Sequence, residues 1–285
     1  MQYANVADFL SLGLGRLRGG PVSILLMEDY SETDSTLRHQ RRLGAANIVV
    51  LGPPTLEITP ELAPDIHLVC HDFARDDLFA TLNQLIEALN GRWIHYAYNT
   101  EYLFYPYCET RSIGELTAFA TEERRDSILT YVIDLYAPDL GGDKNGVSLE
   151  DAELDQAGYY AEPRWRDGET LERQLDMFGG LRWRFEEHIP WERRKIDRIG
   201  LFRAQKGLEL RRDHTFNIEE YNTYACPWHH NVTAAICSFR VAKSLRTNPG
   251  SADAIDTFHW HNSRPFTWQS QQLLELGLIE PGQWF

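Results

Sequence analysis

The stretch "WIHYAYNTEYLFYP", residues 93–106, decides how the first part of this chain is read. Residues 93–98 are apolar and aromatic, the composition of a strand buried on both faces. Tyr98, Asn99, Thr100 and Glu101 then form a polar turn, and a second aromatic-rich segment follows. Core packing explains most of the rings, from Trp93, Tyr96 and Tyr98 to Tyr102, Phe104, Tyr105 and Tyr107. Tyr98, at the turn itself, is the one expected in a pocket, where its ring could stack and its hydroxyl could hydrogen-bond.

Upstream, apolar runs alternate with helical patterns. "PVSILLMED" (21–29) reads as a first strand ending in acids. "SETDSTLRHQRRLGA" (31–45) reads as a helix opened by Ser and Thr caps and stopped at Gly44. "NIVVLGPP" (47–54) and "DIHLVCHD" (65–72) are two further strands. "DDLFATLNQLIEALNG" (76–91) places Leu78, Leu82, Leu85, Ile86 and Leu89 on one helical face and ends at Gly91. Strands joined by single helices imply right-handed crossovers and a mainly parallel sheet covered on both faces. Ligands of such sheets gather at the carboxyl ends of the strands. Here those ends carry Glu28-Asp29, Gly52-Pro53, His71-Asp72 and Asn99-Thr100-Glu101.

Downstream, "SIGELTAFATEERRDS" (112–127) predicts a helix and "ILTYVIDLYAP" (128–138) a strand around Asp134. Residues 141–168, rich in Gly, Asp and Glu, read as a long loop or lid. "VTAAICSFRVAKSLR" (232–246) predicts a helix, and "SQQLLELGLI" (270–279) a short one.

The 285 residues suit one large α/β domain or two small ones, and 43% hydrophobic residues supply a core. No apolar run is long enough for a membrane span, and the N-terminus does not read as a signal peptide, so a cytoplasmic protein is expected. The scattered Cys70, Cys108, Cys226 and Cys237 are expected as reduced thiols. The net charge of -14 argues against nucleic-acid binding. Residues 164–212 depart from it, with 13 basic and 9 acidic side chains, which suits either one compact anion or a solvated helix face.

Six stretches carry a family resemblance. "ILLMEDYSETDSTLRHQRRLGAANIVVLG" (24–52) is similar to a first strand, acidic turn, helix and second strand, and "RWIHYAYNTEYLFYP" (92–106) falls where an Asp-Ala-Asp-Glu motif is usual. "RSIGELTAFATEERRDSILTYVIDLYAPD" (111–139), "FGGLRWRFE" (178–186), "KIDRIGLFR" (195–203) and "YACPWHHNVTAAICSFR" (224–240) continue it in order. Together they resemble a bacterial subgroup of family-2-like glycosyltransferases of the GT-A fold.

The resemblance implies a single GT-A-like domain over residues 1–285, a three-layer α/β sandwich with a mainly parallel central sheet. Its nucleotide-binding half would be 21–107 and its acceptor half 108–285. It implies transfer of a sugar from a nucleotide diphosphate donor to an acceptor that the sequence does not name.

The departure from the family is at Tyr98-Asn99-Thr100-Glu101, where both aspartates of the motif are missing. Hard cations prefer carboxylate oxygens, so Glu101 with a distant histidine would hold Mn²⁺ or Mg²⁺ only weakly. No metal ligand is therefore assigned, and transfer with weak or no metal dependence is expected. The growing charge on the diphosphate would fall to Arg182, Arg184, Arg194 or Lys195. Glu28, Asp72, Tyr98, Asn99 and Thr100 are the further donor-binding candidates, with His230 of the "WHH" triplet for metal or diphosphate. Glu101, Asp134 and Asp213 are the catalytic candidates, the two aspartates as base for the acceptor hydroxyl. Each has a plainer role available: capping for Glu28, Asp72 and Asp134, an arginine pair for Asp213, ordinary hydrogen bonding for His230.

Loss of the aspartate pair equally suits a non-catalytic GT-A-like binding or scaffold protein. His259 and His261 would share a strand face if "FHWHNSRPF" (258–266) is extended. A metallohydrolase built on His71, Asp72 and the late histidines lacks a tight motif such as HExxH.

Overall fold

A computed structural model describes residues 1–223 and 231–284. The strands are β1 (Gln2–Tyr3), β2 (Val22–Leu26), β3 (Asn47–Gly52), β4 (Ile66–Cys70), β5 (Trp93–Tyr98), β6 (Glu101–Phe104) and β7 (Ser127–Tyr136). They continue with β8 (Glu153–Asp155), β9 (Tyr160–Arg166), β10 (Glu169–Phe178), β11 (Asp197–Arg203), β12 (Ala234–Ser238) and β13 (Ser263–Pro265). The chain is mixed α/β around a mainly parallel central sheet. It comprises two compact units, unit 1 (Met1–Tyr102, Tyr107–Leu129, Ile199–Asn222) and unit 2 (Leu103–Pro106, Thr130–Arg198, Thr223–Phe285).

In unit 1 the strand order is β1-β4-β3-β2-β5-β11. The first five strands run parallel, and β11 is antiparallel to β5. Alternation along the strands builds two separate cores. Val22, Ile24, Leu26 and Tyr96 face one way, against Leu82, Leu85, Ile86 and Leu89 of the helix Leu78–Ala88. Leu25, Met27, Ile48 and Val50 face the other way, against Leu37 of the helix Thr33–Arg42. Each buried Leu or Ile side chain contributes about 1.5–3 kcal/mol. Unit 1 is thus three layers, as the strand–helix alternation predicts.

Local signals set the helix ends. Asp77 accepts hydrogen bonds from the N–H groups of Phe79 and Ala80 at 3.0 and 3.1 Å, and the turn after this helix closes on Gly91 at φ +83°. The helix Thr33–Arg42 departs from expectation at its start. Glu32 occupies the cap position in left-handed conformation, and no side chain caps the helix. The helix Ile113–Glu122 opens with a capping box in which Ser112 Oγ accepts from Glu115 N–H and Glu115 Oε2 accepts from Ser112 N–H. Replacing Ser112 by Ala is expected to cost about 1 kcal/mol of stability in urea denaturation; no change would mean that the box contributes nothing.

In unit 2, β12 runs parallel to β7 from Thr130 to Asp134, β8 is antiparallel to β7, and β13 is antiparallel to β8. Tyr136, Leu140, Leu181, Ala242, Leu245, Ile255 and Phe258 pack as its core. Two expectations are corrected. Residues 141–168 are not one loop, because they contain β8 and β9, and β9 pairs antiparallel with β10. Polar side chains on both faces of that hairpin hid its period. Residues 232–246 are not one helix, since β12 comes first and the helix is Arg240–Thr247. "AAICS" is an uninterrupted apolar run, which periodicity alone cannot assign.

Among the described residues no helix is long and apolar enough to cross a membrane. Cys70, Cys108 and Cys237 are free thiols, and Cys226 lies outside the described residues.

Candidate functional site

Unit 1 has a topological switch point. From β2 the chain steps outward through β3 and β4, then returns to place β5 on the other side of β2. Loops at such a point normally part and leave a crevice above the carboxyl ends of the strands. Here they are tied together. Asn99 Nδ2 donates to Asp29 Oδ1 at 2.6 Å and to Ser31 O at 3.0 Å, joining the loop after β5 to the loop after β2. Thr100, at φ +64°, donates its N–H to Thr36 Oγ1 at 3.0 Å. Glu101 turns its carboxylate inward, where Oε2 accepts the Tyr98 N–H at 2.8 Å.

These four residues are buried. Tyr98 belongs to the apolar core of unit 1, so the expectation of a pocket-facing ring is corrected. Asn99 Oδ1 is buried and has no hydrogen-bond partner among the described residues. Residues 98–101 do not fit a divalent cation, because the Glu101 carboxylate serves the turn and the amide of Asn99 points its donor at Asp29.

Beside this knot lies an open groove of about 700 Å³, between the loops that follow β2 and β3. Tyr30, Glu32, Asp34, Thr55, Glu57 and Thr59 are among the residues lining it. Tyr30 and Thr55 share a hydroxyl–hydroxyl hydrogen bond at 2.6 Å, and Thr59 Oγ1 donates to Asp34. Glu32 Oε2 accepts from Ser35 Oγ at 2.7 Å. With three carboxylates and no basic side chain, the lining is suited to N–H and hydroxyl donors and repels phosphates. Glu28 sits half-buried just after β2.

Asp72 and Asp213 are turn residues. Asp72 accepts the Ala74 N–H at 3.0 Å and lies 3.5 Å from Arg75, while the helix after it is capped by Asp77. Asp213 is exposed and accepts from both the N–H and the hydroxyl of Thr215, at 3.0 and 2.7 Å. It holds the tight turn that closes the Leu210–Phe216 bridge.

Unit 2 holds a second polar cluster. Asp134, near the carboxyl end of β7, is 1% exposed. Burial pushes its carboxyl up to about 6; the Arg182 guanidinium and the N–H groups of Arg182 and Leu181 pull the other way, and Asp155 adds to the rise. Arg182 Nε lies 3.6 Å from Asp134 Oδ1, and Arg182 N–H reaches Oδ2 at 3.4 Å. Gly180 makes this approach possible. At φ +65° and ψ -153° it holds a conformation open to glycine alone, and a Cβ there would stand 2.8 Å from Asp134 Oδ2.

Asp155, at the end of β8, is the residue that sequence reasoning missed. It accepts from Tyr136 Oη at 2.5 Å, Trp260 Nε1 at 2.7 Å and Arg184 Nη1 at 3.3 Å. It ends β8, a strand that the loop reading of 141–168 concealed, so the acid at a strand end that singled out Glu28 and Asp72 was not visible here.

Four basic residues of 164–212 are matched by acids. Arg184 pairs with Asp155, and Lys195 with Asp176 at 2.7 Å. Arg194 pairs with Glu186 at 2.8 Å, and Arg164 bridges Asp176 and Asp197 at 2.7 Å each. These four cations are therefore not open to a bound anion.

The sequence candidates thus fall into two sets. Glu28, Asp72, Tyr98, Asn99, Thr100, Glu101 and Asp213 belong to unit 1, and Asp134, Arg182, Arg184 and Lys195 to unit 2. His230 lies outside the described residues. Residues 258–262 are not a strand: His259 Nδ1 pairs with Glu153 Oε2 at 2.7 Å, and the His261 ring packs on Trp260. Among the described residues no three His, Cys, Asp or Glu side chains converge as a metal-holding group. No protein-family model matches the chain, and no curated protein matches it.

Proposed function

We propose that this chain is a glycosyltransferase of the GT-A type, taking a nucleotide diphosphate sugar as donor without a divalent cation held at residues 98–101. The observation that carries the reading is the acidic groove at the carboxyl edge of the parallel strands, between the loops that follow β2 and β3. Carboxylates at Glu32, Asp34 and Glu57 suit the N–H edge of a base and the hydroxyls of a ribose. The reading assigns the nucleoside to that groove.

Asp134 is assigned the acceptor proton. A carboxylate with its pKa raised to about 6 is mostly ionised at pH 7 and more basic than a free aspartate, which favours general-base work. Arg182 beside it holds the ionised form in place.

A second reading, a GT-A-like binding protein without turnover, is favoured by one specific feature. Asn99 and Glu101 are both engaged in holding their own turn.

Calorimetric titration of the full chain with UDP, GDP and their sugar conjugates, with and without Mn²⁺, tests the proposal. The expected result is binding of a nucleotide with an affinity that Mn²⁺ changes by less than about twofold, a difference under 0.5 kcal/mol. Failure of every nucleotide to bind would overturn both readings. Binding with no sugar release or transfer across an acceptor panel would favour the second.

A further inference from the structure

Unit 2 carries a cleft of about 490 Å³ whose walls include Trp183, Trp260, His259, Thr257 and Glu187. That volume is ordinary for a small-molecule site, about 300–1,000 Å³. Two features set it apart from a surface dent. Both indoles converge on Gly158, whose Cβ position would lie 3.8 Å from Trp183 and 3.9 Å from Trp260. The platform is also fixed from behind. Trp260 Nε1 donates to the buried Asp155 at 2.7 Å, and the Arg184 guanidinium stacks 4.8 Å from the centre of the Trp260 ring. Trp183 remains 43% exposed.

Polar groups stand at the rim of this aromatic surface. His259 gives its Nδ1 to Glu153 at 2.7 Å, which fixes the ring, and its side chain is 56% exposed. Arg184, the one cation in the lining, is turned inward, with its side chain 8% exposed and its head group on Asp155 and Phe258 O. The other charged groups of the lining are two carboxylates, Glu186, which Arg194 pairs at 2.8 Å, and Glu187, whose side chain is 63% exposed. Aromatic faces take the C–H face of a pyranose, and imidazole, hydroxyl and carboxylate groups take its hydroxyls.

We infer that this cleft is a subsite for a neutral saccharide, which stacks on the Trp183–Trp260 platform with its hydroxyls toward His259, Thr257 and Glu187. Acidic sugars are disfavoured, because the lining presents carboxylates and keeps its only guanidinium paired. As the place of a glycosyl acceptor the assignment rests on the transferase reading; as a sugar platform it rests on the cleft alone.

The test uses the full chain and saturation-transfer NMR with cellotetraose, chitotetraose and maltotetraose, with tetragalacturonate as the acidic comparison. At least one neutral oligosaccharide is expected to bind and the acidic one to bind more weakly. Trp183→Ala is expected to weaken binding about tenfold, and Trp183→Phe, which keeps an aromatic face, by about threefold or less. Because Trp183 is exposed, both variants should melt with the wild type, and this is checked on the same samples. Absence of saturation transfer from all three neutral sugars, equal binding by Trp183→Ala, or tighter binding of tetragalacturonate would each overturn the inference. UDP titration of the same samples separates the two claims. Sugar binding without nucleotide binding upholds the cleft and sinks the transferase reading, whereas nucleotide binding without sugar binding does the reverse.

Discussion

Asn99→Asp is expected to destabilise the protein by about 3–5 kcal/mol at pH 7.5, although Asp is nearly the same size and shape as Asn. The amide of Asn99 donates to Asp29 Oδ1 at 2.6 Å and to Ser31 O at 3.0 Å, and a carboxylate can donate neither bond. It would instead bring a second negative charge into contact with Asp29, at a position that is fully buried. Two carboxylates so close cannot both stay ionised, and one takes up a proton. The new carboxyl therefore has a raised pKa in the folded state, so the deficit is small below the ordinary carboxylate range and grows as pH rises. Urea denaturation of wild type and variant at pH 4.5 and pH 7.5 measures it. A variant as stable as wild type at pH 7.5 would show that this side chain does not knot the two loops together.

The same residue illustrates how far the sequence could be read. That 93–98 is a buried strand and 98–101 a turn followed from composition, because aromatic and β-branched residues ending in Asn-Thr have few other uses. The helix Leu78–Ala88 was legible because Leu78, Leu82, Leu85 and Ile86 recur on one face within the helix itself. The partner of Asn99 was not legible. Asp29 lies 70 residues away, and its approach depends on β5 adding beside β2 rather than at the other edge of the sheet. The Asp155 cluster was hidden for the same reason, since Trp260 is 105 residues from the carboxylate that it serves. The charge excess in 164–212 was visible, but its meaning depended on pairings such as Arg164 with Asp176 and Asp197, which cross a hairpin that no period announced. Local chemistry was readable where the partners are local, and the site depends mainly on partners that are not.

Replacing Asp134 by Asn is expected to change how stability depends on pH more than its value at any one pH. Burial raises the Asp134 carboxyl from 3.8 to about 6 in the folded state, so between these values the folded protein holds a proton that the unfolded chain has released. Stability from this group therefore falls as pH rises across that window, and the loss is complete above it. A span of about two pH units corresponds to about 3 kcal/mol. Asn has no proton to lose, so the stability of the variant minus that of wild type should be flat below about pH 3, climb by about 3 kcal/mol up to about pH 7, and be flat again above it. The absolute offset of the curve depends on Arg182, which loses its counter-charge in the variant but keeps its hydrogen bond to Lys195 O at 2.6 Å. A flat difference throughout would mean that the carboxylate is not desolvated. The same variant bears on the chemistry. If Asp134 takes the acceptor proton, Asn should abolish transfer while leaving UDP affinity within about twofold of wild type, because Asp134 is not among the residues lining the groove assigned to the nucleoside. Loss of nucleotide binding together with transfer would instead show that Asp134 maintains structure.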